Sequence, residues 1–168
     1  NPNTSSGVAT TQTATAGLVS NTATLTVLAP PTVVSITRAD TNPTNAATVN
    51  FTVTFSRAVT GVDVGDFTTT TTGGIVPPTT VMSVTPVGVC PCAAFTVLVS
   101  TGTGDGTLRL NLVDDDSITS VIAPAPLGGT GAGNGNFNAG EVYTISKSDP
   151  FVSSITRADA SPTNAASV

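Results

Sequence analysis

The chain has 168 residues, room for one ordinary domain with extensions and hardly for two. Only 9% of its residues are charged, the net charge is −5 and there is a single lysine, Lys147. That balance points away from nucleic acid, whose phosphates need basic partners. There is no histidine, which removes Ser-His-Asp, Cys-His and most zinc arrangements, and no apolar run is long enough to insert into a membrane as a spanning helix.

Threonine makes up about one residue in five and valine is abundant. Both are β-branched and suit a pleated, half-buried surface. Sixteen glycines and twelve prolines punctuate the chain, so the expectation is all-β: many short strands joined by turns, in a sandwich or barrel. The chain starts at Asn1 with no initiator methionine, which reads as a processed product or a piece of something longer.

In chain order, residues 1–30 read as the terminal strands of a preceding or composite β domain. Ala23, Leu25 and Val27 alternate with threonines, and Gly17 to Asn21 reads as the hairpin turn before them. Pro30-Pro31 then marks a linker. Residues 31–149 carry the stronger signals. Val49, Phe51, Val53 and Phe55 alternate with polar residues, as do Phe95, Val97 and Val99, and Leu108, Leu110 and Leu112. This is the period-two pattern of a half-buried strand. Val142 to Ile145 closes the set with Tyr143 and Ile145 on one face, and 32–38, 66–72 and 81–87 are weaker candidates. Seven strands broken by glycine and proline clusters predict a two-sheet sandwich with Val49, Phe51, Val53, Phe55, Phe95, Val97, Leu108, Leu110 and Tyr143 in its core.

Residues 150–168 repeat an earlier segment. Val33 to Val49 recurs as Val152 to Val168 with 13 of 17 positions identical, and Ile155 lies 155 − 36 = 119 residues after Ile36. A period of this size matches one immunoglobulin-like domain. The tail therefore reads as the first strands of a next repeat, or as a strand donated to a neighbour.

Several spaced motifs sharpen the picture. Ser35-Ile36-Thr37-Arg38-Ala39-Asp40 leads through Pro43-Thr44-Asn45-Ala46 to Phe51-Thr52-Val53-Thr54-Phe55-Ser56 and Val59-Thr60-Gly61-Val62-Asp63. Gly104-Asp105-Gly106-Thr107-Leu108-Arg109-Leu110 follows, then Asp114-Asp115-Asp116-Ser117-Ile118 and Gly140-Glu141-Val142-Tyr143-Thr144-Ile145. This order resembles the tandem Ig-like, or cadherin-like, repeats of large bacterial surface and secreted proteins, over about 31–168. The resemblance implies an Ig-like Greek-key sandwich, an extracellular or cell-surface location, an adhesive or architectural role and no catalytic residues. One departure is that Thr119 to Pro126 is apolar and proline-broken where such repeats often carry an Asp and a Gly-Asn.

Three features could carry chemistry. Asp114, Asp115 and Asp116 follow a strand on a loop; they read either as a solvated turn whose carboxylates hold local amides or as a calcium site, helped by Asp63, Asp66 or Asp105. Cys90-Pro91-Cys92 lacks the further ligands zinc needs; free thiols, an intrachain disulfide or cross-links between chains remain, and an oxidising exterior favours the disulfide. Arg38 and Asp40 fall on one strand face and read as a surface ion pair, near the point where the chain enters the repeat. The glycine-rich run 128–135 reads as a flexible connection, since it has neither the Lys-Ser/Thr of a phosphate loop nor a helix after it.

Two functions follow. One is a structural subunit of a filament, stalk or sheath, non-enzymatic and without a cofactor unless calcium binds. Its partners are other copies of itself, joined head to tail through Val152, Ile155 and Val168 at one end and Ala23, Leu25 and Val27 at the other. The alternative is an adhesin binding module recognising carbohydrate or a surface receptor, which would want exposed aromatics; the chain has no Trp and one Tyr.

Overall fold

The computed structural model describes residues 10–16, 19–25, 28–148 and 152–158. Within them the chain is all-β, with one turn of 3-10 helix at Val64–Asp66. Strands β1 (Thr10–Ala16) and β2 (Val19–Leu25) form a two-stranded antiparallel hairpin. Val19, Ser20 and Asn21, which the sequence assigns to the turn, lie inside β2 opposite Ala16, Thr15 and Ala14.

The remaining strands build two antiparallel sheets. The first contains β3 (Val33–Arg38), β4 (Thr48–Thr60), β6 (Val81–Pro86) and β7 (Cys92–Ser100) in the order β3-β4-β7-β6. A two-residue strand, β9 (Thr119–Ser120), is added at the far end of β4. The second sheet holds β5 (Phe67–Gly73), β8 (Gly106–Leu112) and β10 (Val142–Ile145) in the order β10-β8-β5. The chain changes sheet between β4 and β5, β5 and β6, β7 and β8, β8 and β9, and β9 and β10. Neither sheet can therefore be completed without the other.

Alternation explains why the sheets meet. Val49, Phe51, Val53 and Phe55 of β4 are buried while the residues between them are half-buried. Phe95, Val97 and Val99 of β7, Leu108, Leu110 and Leu112 of β8, and Tyr143 and Ile145 of β10 complete one core. All nine side chains that the sequence assigns to the core are buried. Each fully buried Phe or Leu stabilises the fold by about 1.5–3 kcal/mol relative to exposure. Phe51 meets Tyr143 edge-on with ring centroids 5.0 Å apart, and Phe55 meets Phe95 in the same way at 5.9 Å. Both are geometries that aromatic quadrupoles favour.

Two details shape the sandwich. Between Thr54 and Val59 the ladder of β4 with β7 is interrupted, and Ser56 turns instead to Thr32, donating its amide to the Thr32 carbonyl at 2.9 Å and accepting the Thr32 amide on Oγ at 3.0 Å. Beyond β3 the chain leaves the first sheet. Thr44 forms a parallel bridge with Ile145 of β10, through Thr44 N to Thr144 O at 3.0 Å and Ser146 N to Thr44 O at 2.9 Å. One edge of the second sheet is thereby covered, which protects it from pairing with other chains.

Truncating Phe51 to Ala should lower unfolding free energy by about 3–5 kcal/mol, the usual cost of an aromatic-sized cavity. Tyr143→Phe, which keeps the ring, should cost about 1–3 kcal/mol, because the amide of Asp40 loses its acceptor. Urea titrations of both variants check the order, with the slope of the transition unchanged.

Candidate assembly surfaces

At the pole where β4 ends and β7 begins, carboxylates do most of the polar work. Asp63 caps the 3-10 turn, its Oδ1 accepting the Gly65 amide at 2.7 Å, while Asp66 Oδ2 accepts the Asp63 amide at 2.7 Å. Asp66 is buried, and its Oδ1 takes the Ser117 hydroxyl at 2.9 Å. Burial pushes its carboxyl above the ordinary range despite these donors. Gly61 is required beside it: its φ is +88°, and a side chain there would collide with the Ser117 carbonyl.

The three consecutive aspartates are used differently from one another. Asp114 is buried; its Oδ2 accepts the Gly135 amide at 3.0 Å, its Oδ1 the Asp116 amide at 3.2 Å, and its own amide donates to Asn136 Oδ1 at 2.7 Å. Asp116 Oδ2 accepts the Gly131 amide at 2.9 Å. Asp115 is exposed and accepts the Ser117 amide at 2.9 Å, and the Ser117 hydroxyl and amide together hold its carboxyl below the usual value. Asp114 and Asp116 thus stitch down a loop 15 to 21 residues away in sequence. The glycine-rich run, read from sequence as a flexible connection, is pinned at several points, including Gly133 N to Asp114 O at 2.9 Å.

The carboxylates are spread over separate backbone contacts. No group of three or more acidic side chains converges on a common point among the described residues. Asp63 and Asp66 serve the 3-10 turn, and Asp105 serves the segment after β10. Asp114, Asp115 and Asp116 each accept backbone amides.

Cys90 and Cys92 are joined by a disulfide, with Cα atoms 4.3 Å apart, at the tip of the β6–β7 hairpin. Cys92 is buried and Cys90 exposed. Together with Val59, Val62, Pro86 and Val121 they line a shallow groove at the same pole. Arg38 and Asp40 do not pair with each other as the sequence suggests. Arg38 lies 3.7 Å from Glu141 and donates to the Val142 carbonyl at 2.6 Å. Asp40 accepts the Asn50 amide at 2.6 Å. The sequence places Arg38 and Asp40 on one strand face, but β3 stops at Arg38 and better partners stand on neighbouring strands.

At the opposite pole Asp105 holds the segment that follows β10. Its Oδ1 accepts the amides of Lys147 at 2.5 Å and Ser148 at 3.0 Å, and its Oδ2 the Ser148 hydroxyl at 2.5 Å. The Ser148 hydroxyl, then the Ser148 and Lys147 amides, hold the Asp105 carboxyl below its ordinary value of 3.8. A little further on, residues 152–158 belong to no strand and all are exposed. Ile36 is 1% exposed, whereas its repeat counterpart Ile155 is 90% exposed, and Val152 75%. Of the other proposed assembly residues, Ala23 and Leu25 lie on β2, while Val27 and Val168 fall outside the described residues.

No protein-family profile, curated protein sequence or solved structure matches this chain. Sequence reading missed the pairing of Asp114 and Asp116 with the glycine loop and the clasp made by Asp105. The first had a signal, since three aspartates and five nearby glycines offer matched acceptors and free amides. The second had none, because nothing local joins residue 105 to 147.

Asp114→Ala should cost about 1–3 kcal/mol by leaving the Gly135 amide unpaired, and amide exchange at Gly131 to Gly135 should accelerate. With the carboxylates engaged by amides, melting temperature should be the same in excess chelator and in millimolar calcium; a rise with calcium would favour the metal reading. Because the Asp105 pKa is depressed in the fold, its contribution is present above the ordinary carboxylate value and is lost as pH falls through the lowered one. Amide shifts of Lys147 and Ser148 should therefore hold at pH 4 and move only in stronger acid.

Proposed function

We propose that this chain is a non-catalytic building block of an extracellular filament, stalk or sheath, made of Ig-like Greek-key sandwiches joined head to tail. The strand orders β3-β4-β7-β6 and β10-β8-β5 support the Ig-like reading, since they correspond to the ABED and CFG sheets of the constant-type arrangement. The observation that carries the functional reading is the contrast between the two copies of one sequence. Val33 to Arg38 forms a strand whose Ile36 is a core residue; Val152 to Arg157 has the same character, yet Ile155 stands in water. A segment of this kind is stable only against a β4-like edge, which a neighbouring copy or a following repeat supplies. Strand addition of this type gives affinity through main-chain hydrogen bonds and register through buried side chains. Repeated head to tail, it makes an open fibre rather than a closed dimer.

The adhesin reading finds less support. Phe51, Phe55, Phe67, Phe95 and Tyr143 are buried and Phe137 packs against the core, so among the described residues no aromatic platform faces solvent for a sugar.

The test uses Ile155→Asp, with Ile155→Val as its conservative partner. Sedimentation and negative-stain imaging of the wild-type chain and the Val variant should show concentration-dependent elongated assemblies. The Asp variant should stay monomeric with an unchanged melting temperature. If it assembles as well as wild type, strand donation by the tail is wrong.

A further inference from the structure

The shift of 119 residues that maps Val33 onto Val152 also maps Leu28-Ala29-Pro30-Pro31 onto Lys147-Ser148-Asp149-Pro150. Only the final proline is shared, but the two segments hold the same place in the repeat: 28–31 is seen entering a sandwich, and 147–148 leaving one.

On the leaving side, the first two linker residues belong to the sandwich behind them. Asp105 takes both of their amides and the Ser148 hydroxyl. Lys147 Nζ adds a bond to the Ala46 carbonyl at 3.0 Å. On the entering side, the last two residues belong to the sandwich ahead. Pro31 is buried and its carbonyl accepts the Gly128 amide at 2.9 Å. Pro30 lies over Gly129, where a Cβ would sit 3.6 Å from the ring. Leu28 also reaches that sandwich, sharing a small pocket with Ser56, Arg57, Ala58 and Ile122. The Gly128 loop that receives the linker is itself held by Asp114 and Asp116 through Gly135 and Gly131.

We propose that consecutive sandwiches are joined through a linker clasped from both sides, its first two residues by Asp105 of the sandwich behind and its last two by the Gly128–Gly129 loop of the sandwich ahead. The partner at this joint is a second sandwich of the same kind. Held at both ends, such a linker fixes the angle between neighbours, and the array is a stiff rod rather than a string of beads. Free linkers of four residues would otherwise let domains reorient, which is the default for small interfaces. This inference rests on the head-to-tail reading and specifies how its joints are made. The acidic residues gain a shared purpose from it: Asp105 builds one half of the joint and Asp114 with Asp116 support the other.

The test is backbone amide relaxation on the full chain. In wild type, Gly128, Lys147 and Ser148 should be as rigid as the strands, with order parameters of about 0.85. In Asp105→Ala, Lys147 and Ser148 should fall below about 0.6, while Gly128 stays unchanged. Ser148→Ala removes one donor without touching the sandwich and should give an intermediate loss. Trypsin supplies a second readout: wild type should be cut quickly after Arg157 and slowly after Lys147, and Asp105→Ala should speed the second cut about tenfold. Mobile 147–148 amides in wild type, or rigid ones in Asp105→Ala, would overturn the clasp. These readouts are made within one chain, so they do not depend on assembly. An intact clasp with assembly indifferent to Ile155→Asp sinks the filament reading alone; a missing clasp with assembly that needs Ile155 sinks the joint alone.

Discussion

The hydroxyl of Tyr143 reaches from β10 across the core, donating to the Asn50 carbonyl at 2.8 Å and accepting the Asp40 amide at 2.7 Å. Its ring meanwhile packs edge-on against Phe51. A single side chain thus ties the last strand of one sheet to β4 of the other and to the segment just after β3, at the point where the chain leaves β3 to cover the edge of β10. Burial raises the phenol pKa, so the group stays protonated and keeps its donor. Arg38 closes the same corner through Glu141 and the Val142 carbonyl. If this corner loosened, the sheets could slide, and the placement of both poles relative to each other would be lost.

With so few charges in the chain, where each one sits has large effects. Unpaired buried amides cost more than most hydrogen bonds gain, and irregular loops leave many of them. Here aspartates supply the missing acceptors: Asp63 and Asp66 for the 3-10 turn, Asp114 and Asp116 for the glycine loop, Asp105 for the segment after β10. Glycine makes this economical, because the loop backbone can approach the carboxylates without a Cβ in the way and can adopt the positive φ found at Gly128, Gly129, Gly131 and Gly133. Much of the chain's acidic character is thus taken up by its own backbone.

The core of the sandwich was legible from the sequence because it depends only on period. Alternation at Val49 to Phe55, Phe95 to Val99 and Leu108 to Leu112 determines which face each strand must hide, and the number and spacing of strands then demand two sheets. The repeat was legible for the same reason, as identity needs no geometry. Strand order, by contrast, came only from the tertiary structure: nothing local tells β4 to lie between β3 and β7, or Thr44 to join Ile145. The aspartates show the same division. Sequence gave their chemistry as oxygen acceptors and left open whether an ion or an amide would fill them. Only the fold, by bringing Gly131 and Gly135 beside residues 116 and 114 and Ser148 beside Asp105, revealed which amides they meet. The physical reason is that side-chain period is a property of the strand alone, whereas a hydrogen-bond partner twenty or forty residues away is chosen by how the sheets pack.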